Sequence, residues 1–507
     1  MGVIRQSFAY GMIFSAAISI GYDSGYLNGV LGSEDFIRLY GISDDGGLNM
    51  YLSPTTRSIF SSILIVGTLI GCLANTFITS RIGRRGSLRV AAVLYTIGVS
   101  MQVSGSVQAV FIVGRILLGM AIGLISNTVP SYLMECSTAA NRGRLMAFYL
   151  QFLTTGNVLA CAINYGTTKY SDSRSWRITI GFQLFLAVII GVGAFVCPES
   201  PLVLSQRGQI DAARASYAIL KNRPQDSHEV NDSMQKLEQH LQESAALGVV
   251  NVAECFQGSD LRRTMIGLAM SFFTIATGIT FWFGYGTTFF QAAGVENSYL
   301  ISLILALVNC VFTAPSIYLI ERFGRRRSLM YGGAIMALTQ ILTGIIYTLA
   351  SKSVASQNML VAGAVVFIAA YAPTWGIGGW LLMAEPFSNR LRTYQSAIVL
   401  AFYWIITWLV GFITPYLVDA TAANLGVYVS YIWLGTGVLS LVWTHLCVPE
   451  LAGLSVKEID QLFERKVPAW RSRAWQKKLR VINSIDSPSI DDASGLKGIT
   501  VGNEKKV

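Results

Sequence analysis

The chain has 507 residues, 52% of them hydrophobic and 13% charged, with a formal net charge of +10. A soluble protein carries about 25% charged residues, so a water-soluble globular domain is excluded. Three histidines far apart and seven scattered cysteines leave neither a metal-ligand spacing nor a disulfide frame.

In chain order, apolar stretches long enough to cross roughly 30 Å of hydrocarbon are predicted near 8–30, 57–77, 87–107, 109–132, 143–165 and 177–197. A second set lies near 264–288, 298–320, 328–350, 359–384, 394–416 and 427–448. These are spans 1 to 12, and they make an all-α membrane protein of two six-helix bundles. The first apolar stretch is too long for a cleavable signal and runs into Tyr22-Asp23, so span 1 is expected to be retained. Residues 1–197 form the first bundle and 264–448 the second. Between them, 198–263 reads as a cytoplasmic linker with polar helices over 208–221 and 227–246. The tail, 449–507, starts with an amphipathic piece at 455–463. It continues into Trp470-Arg471-Ser472-Arg473-Ala474-Trp475, which suits either water or an anionic leaflet. Disorder is expected after 483.

The basic excess follows topology. Arg81, Arg84, Arg85 and Arg89 follow span 2, Arg142 and Arg144 follow span 4, and Arg322, Arg325, Arg326 and Arg327 follow span 8, while the opposite loops carry Glu34, Asp35, Asp44 and Asp45. By the positive-inside rule both termini are cytoplasmic. Nucleic acid is not an expected partner; the lipid bilayer is.

The chain also repeats itself. Ser80-Arg81-Ile82-Gly83-Arg84-Arg85 recurs as Glu321-Arg322-Phe323-Gly324-Arg325-Arg326. Pro198-Glu199 recurs as Pro449-Glu450, and Glu135…Arg142 as Glu385…Arg392 with the same gap. Three motifs repeating at an offset of about 250 residues mark a membrane half written twice, the signature of a secondary transporter with parallel repeats. Gly83 and Gly324 permit the tight turns between helices. The arginines are expected to reach Glu135, Glu199, Glu385 and Glu450 across the two bundles, together a cytoplasmic gate that must break on opening. Glu321, Arg142 and Arg392 join the same gate set.

Two charges stand inside the apolar spans: Asp23 in span 1 and Arg115 in span 4. An ion at that depth is costly and marks function by default. Arginine keeps its proton, so only the aspartate can change charge.

These residues carry a resemblance. Gly21-Tyr22-Asp23, the two Arg-x-Gly-Arg-Arg loops, Gly114-Arg115, Pro198-Glu199-Ser200-Pro201, Tyr285-Gly286-Thr287-Thr288, Val308-Asn309 and Trp380…Glu385 resemble the sugar porters of the major facilitator superfamily, the fungal ones most. The likeness covers roughly 8–463. It implies the major facilitator fold, alternating access and a sugar as the small-molecule partner. It also implies a plasma-membrane location, and neither an enzyme, a cofactor nor an obligatory oligomer. An acid at Asp23 with an arginine at Arg115 marks the family's proton symporters, which run on a proton gradient. Departures fall at the substrate site. Thr274, Ile275 and Thr280 stand around Gly278 where the family carries amides, Leu150 stands where it carries a glutamine, with Gln151 next to it, and Tyr403 stands where it carries an asparagine. The substrate-contact candidates are therefore Gln151, Gln183, Thr280, Tyr285, Asn309, Trp380 and Tyr403. Fewer amides leave hydroxyls without partners, each costing about 1–3 kcal/mol, which argues against an ordinary high-affinity glucose site; the cavity is expected to be more aromatic, and a neutral sugar or polyol still fits it. A transporter-like nutrient sensor and an uncoupled sugar uniporter remain open alternatives.

Overall fold

Every predicted span falls on helix in the computed structural model, which describes residues 2–43, 50–105, 107–136, 142–246, 251–292, 295, 297–349, 353–388, 390–419 and 422–486. Span 1 is Gly2–Leu31, span 4 Gln108–Cys136, span 5 Arg142–Thr167 and span 6 Arg174–Val196. Spans 2 and 3 run together as Pro54–Ser104 and break at Gly83. Span 7 is Gly258–Ala276 plus Ile279–Ala292, parted at Gly278 with φ of 95°. Span 8 is Ser298–Thr313 plus Ser316–Phe323, with Pro315 between them. Span 9 is Arg325–Leu349, span 11 Arg392–Val418 and span 12 Val429–Cys447. Span 10 passes from Val354–Tyr371 through a π-helical turn at Ala372–Gly376 into Ile377–Leu382. Among the described residues, nine helices are long and apolar enough to cross a membrane, the joined Pro54–Ser104 counting once. Two short strands, Ile42–Ser43 and Met50–Tyr51, pair antiparallel before span 2.

Local chemistry sets these boundaries. Span 2 opens on Pro54, whose missing N–H costs nothing at a helix start, with the Ser53 side chain accepting the Thr56 N–H. At Gly83 (φ 84°) and Gly324 (φ 90°) the chain reverses in a conformation that L side chains resist. A Cβ there would also strike the carboxylate of Glu199 or Glu450. We call the end carrying these turns the loop face and the opposite end the far face.

Within the first half, span 1 lies directly on span 5. Gly21, Gly25 and Gly29 stand four residues apart, and a Cβ on each would collide with Leu153, Asn157 and Asn164 in turn. This is the small-residue contact by which membrane helices approach closely. Asn164 completes it by donating to the Tyr26 carbonyl at 3.0 Å. Gly21→Ala is expected to cost about 1–3 kcal/mol through backbone displacement, seen as a lower Tm of the purified protein, whereas Gly11→Ala, where nothing lies within 4 Å of the new methyl, leaves Tm unchanged.

Each half buries its own apolar core, one drawn from residues 12–197 and one from 266–463. The polar segment between them forms helices at Pro201–Gln206, Ile210–Lys221 and His228–Ala246. After span 12, Val456–Glu464 is a helix started by a Ser455/Glu458 capping box. A last helix, Ser472–Asp486, runs past the expected onset of disorder at 483; the rest of that expectation lies outside the described residues. All seven cysteines are unpaired.

Candidate functional site

Asp23 and Arg115 meet in the interior of the first half. Asp23 Oδ1 lies 4.0 Å from Arg115 Nη1, and both side chains are almost wholly buried. That is an ion pair without a direct hydrogen bond. Arg115 is instead held by neutral groups: Nη1 donates to the Tyr26 hydroxyl at 2.6 Å and Nε to the Phe60 carbonyl at 3.1 Å. The Tyr26 hydroxyl in turn donates a hydrogen bond to Gln102 Oε1 at 2.9 Å. The geometry has a chemical consequence. The guanidinium is positioned by Tyr26 and Phe60, so Asp23 can lose its charge without leaving Arg115 unanchored. Asp23 Oδ1 itself has no hydrogen-bond partner.

The substrate-contact candidates divide into three groups. Gln151 reaches across the halves, Nε2 donating at 3.1 Å to the carbonyl of Cys310, the residue after Asn309 on span 8. Trp380 is 40% exposed. It packs on Tyr403 with centroids 4.9 Å apart, and Tyr403 on Trp404 at 5.5 Å. Thr280 stands half-buried just past the break at Gly278. Two candidates lie elsewhere. Gln183 is fully buried inside the first half, on the helix whose Phe182 stacks against Tyr22. Tyr285 belongs to a cross-half bridge at the far face, because its hydroxyl is captured by charged partners.

That bridge was not anticipated from the sequence. Arg57 at the start of span 2 donates through Nη1 to Asp419 at 2.7 Å and to the Tyr285 hydroxyl at 2.7 Å, and Tyr285 donates to Asp419 in turn. Side-chain exposure of Arg57 and Asp419 is only 14% and 15%. Around it, Ser58 donates to the Phe412 carbonyl at 2.8 Å, the Thr287 N–H to Asn28 at 3.2 Å, and Tyr299 to the Gly29 carbonyl at 2.9 Å. An arginine at the arginine-poor end of span 2 was the available signal.

The loop-face residues correct another expectation. Among the described residues their ion pairs stay within one half. Arg84 pairs with Glu135 at 2.8 Å, and Arg325 with Glu385 at 2.9 Å. The Glu199 carboxylate accepts the Arg84 N–H at 2.8 Å, and Glu450 accepts the Arg325 N–H at 2.9 Å. Arg85 donates to the Ala194 and Phe195 carbonyls, and Arg326 to the His445 carbonyl, so each satisfies the open end of span 6 or span 12. Arg81, Glu321 and Arg322 are exposed, Arg322 reaching the Tyr318 hydroxyl at 2.9 Å. Arg392 is half-buried with its Nε unbonded; the side chain of Arg142 lies outside the described residues. The reason for the correction is geometric. Each motif ties the turn, the end of one span and the end of another into a rigid unit, which leaves the halves free to part here. Cross-half hydrogen bonds among the described residues sit at the far face and at mid-depth.

The family described as "Sugar (and other) transporter" matches residues 9–463. The high glucose sensor RGT2 of Saccharomyces cerevisiae is 32% identical over 468 residues, covering 91% of this chain and 61% of its own length. The chain thus spans less than two thirds of that relative. The low-affinity glucose transporter HXT1 of the same yeast is 30% identical over 483 residues, covering 93% of this chain and 84% of its own. Among solved structures, the E. coli xylose transporter XylE in its inward-open conformation has a TM-score of 0.73 at 22% identity, covering 89% of this chain and 98% of XylE. XylE bound to 6-bromo-6-deoxy-D-glucose, described as a proton:xylose symporter of the major facilitator superfamily, gives 0.72 at 22% identity over 92% and 100%. The chain belongs to the sugar (and other) transporter family and carries the major facilitator fold, the architecture of a transporter and not of an enzyme.

Proposed function

We propose that this protein is a proton-coupled symporter of a neutral sugar or related polyol, working by alternating access in the plasma membrane with its loop face toward the cytoplasm. The observation that carries the reading is the buried Asp23, 4.0 Å from Arg115 and not hydrogen-bonded to it. It is a charge that can be neutralised in place, in a setting where an ion is expensive. Orientation follows from the arginines of the loop face. Glucose and xylose appear in the names of the relatives, which supports a neutral monosaccharide. The Trp380–Tyr403 pair offers a ring to the C–H side of such a molecule, and Gln151 and Asn309 offer polar groups from opposite halves. The cross-half bonds at the far face hold the halves together on the side that this orientation turns away from the cytoplasm.

The test is counterflow in proteoliposomes loaded in turn with unlabelled hexoses, pentoses, polyols and sugar acids. Trans-stimulated uptake of at least one labelled neutral sugar or polyol is the expected result. Binding without any exchange would instead favour the sensor reading, which the likeness to RGT2 keeps in view. Exchange restricted to sugar acids would sink the neutral-substrate reading.

A further inference from the structure

The last helix, Ser472–Asp486, is docked on the loop face of the second half. Ser472 Oγ accepts the Glu450 N–H at 2.9 Å, and Gln476 Nε2 donates to the Glu450 carbonyl at 2.6 Å. Ser472 and Gln476 are one helical turn apart and buried. Trp475 leans on the core of the second half. That contact fixes which face of the helix is left over. The remainder presents Arg471, Arg473, Lys477 and Lys478, all exposed, and no acid lies between Arg465 and Asn483.

Beside this face runs a groove of about 250 Å³ between the tail helix and the turn at Gly324. Arg322, Arg473 and Lys477 line it together with Glu321, Glu450 and Phe323. Of the two acids, Glu450 is held in place, its Oε1 accepting the N–H groups of Arg325 at 2.9 Å and Ala452 at 3.1 Å. The lining thus carries three cations against two carboxylates, a net positive groove. The groove stands where span 8 ends; Phe323, which lines it, and Tyr318, whose hydroxyl accepts from Arg322, are exposed. Trp470, 53% exposed, lies on the turn Ala469–Arg471, which packs against span 12. An exposed indole at the end of a membrane helix suits the headgroup layer.

We infer that this groove is a binding site for an anionic phospholipid headgroup, held by Arg322, Arg473 and Lys477, with Trp470 anchoring the tail in the interface. The occupant is a membrane lipid and not free phosphate, because the basic face and the exposed tryptophan belong to one segment placed against span 12. The headgroup would press the tail helix onto Glu450, and through Glu450 onto the turn that carries Arg325. The leaflet that supplies the lipid rests on the orientation proposed above; headgroup selectivity does not.

The experiment therefore uses the full-length protein in detergent, where orientation plays no part. Native mass spectrometry is run after adding phosphatidylserine, phosphatidylinositol or phosphatidylcholine. Adducts with the two anionic lipids are expected to persist and those with phosphatidylcholine to strip off. Arg473→Gln with Lys477→Gln should weaken the anionic adducts about thirtyfold, at about fivefold per basic residue, while Arg473→Lys with Lys477→Arg retains them. Millimolar inorganic phosphate should leave them in place. Equal retention of phosphatidylcholine, unchanged adducts in the double glutamine variant, or displacement by inorganic phosphate would each overturn the proposal.

Discussion

Asp23→Asn is expected to abolish accumulation of substrate against its gradient while counterflow exchange stays measurable. The asparagine stands in for the protonated acid, so the site behaves as though permanently loaded with its proton. Folding should survive, because Arg115 is anchored by its bonds to the Tyr26 hydroxyl and the Phe60 carbonyl and makes no hydrogen bond to Asp23. Exchange needs only the protonated form to cycle, and should fall by no more than about tenfold, the equivalent of about 1.4 kcal/mol in the balance between conformations. Uptake with and without an imposed proton gradient, alongside counterflow in the same vesicles, reads both halves of the expectation. A variant that still concentrates substrate removes Asp23 from the coupling step. Uptake by the unmodified protein that ignores the gradient would establish a uniporter.

Asp419→Asn is expected to open the far face. Its carboxylate is bonded by both Arg57 and Tyr285; removing it takes away the charge-assisted bond that Arg57 makes to it across the halves, while the Arg57–Tyr285 bond remains. Hydrogen bonds to charged groups contribute about 1.5–3 kcal/mol. A loss of about 2 kcal/mol, felt only when the far face is closed, shifts the two-state balance roughly thirtyfold. Ile65 supplies the reporter, since in the closed arrangement it lies against Gly411 of the other half. A cysteine at Ile65 should react with a membrane-impermeant thiol reagent much faster in the Asp419→Asn background. Exchanging the charges, Arg57→Asp with Asp419→Arg, should restore protection, because the pair and not either residue does the holding. Unchanged labelling in Asp419→Asn would show that the surrounding contacts of Ser58, Asn28 and Tyr299 suffice.

Much of the architecture could be read from the chain because it rests on local rules. Hydropathy placed the spans, and a glycine between arginines placed each loop-face turn, where φ is indeed positive at Gly83 and Gly324. Asp23 and Arg115 were legible for the same kind of reason, a charge where charge is costly. What escaped depends on pairing at a distance. The repeat identified Arg84 with Arg325 and Glu135 with Glu385 as equivalent residues. Equivalence does not say whether a glutamate's partner lies in its own half, and it does. Tyr285 read as an aromatic liner because nothing near it in sequence announces Arg57 or Asp419. The tail helix read as solvated or membrane-bound because its fully buried residues, Ser472 and Gln476, are polar, with Trp475 only partly buried beside them, and apolar periodicity is blind to such a contact. The break of span 7 at Gly278 was also hidden, since one glycine in an apolar run is compatible with an unbroken membrane helix.

The central claim is that substrate and proton move together through a cycle in which Asp23 changes charge. The most direct measurement places proteoliposomes in weakly buffered medium with no gradient of pH or voltage, adds substrate outside, and follows external pH. Alkalinisation is expected to accompany substrate entry, to be abolished by a protonophore, and to be lost in Asp23→Asn while that variant still exchanges labelled substrate. Substrate entry with no change in external pH would contradict it.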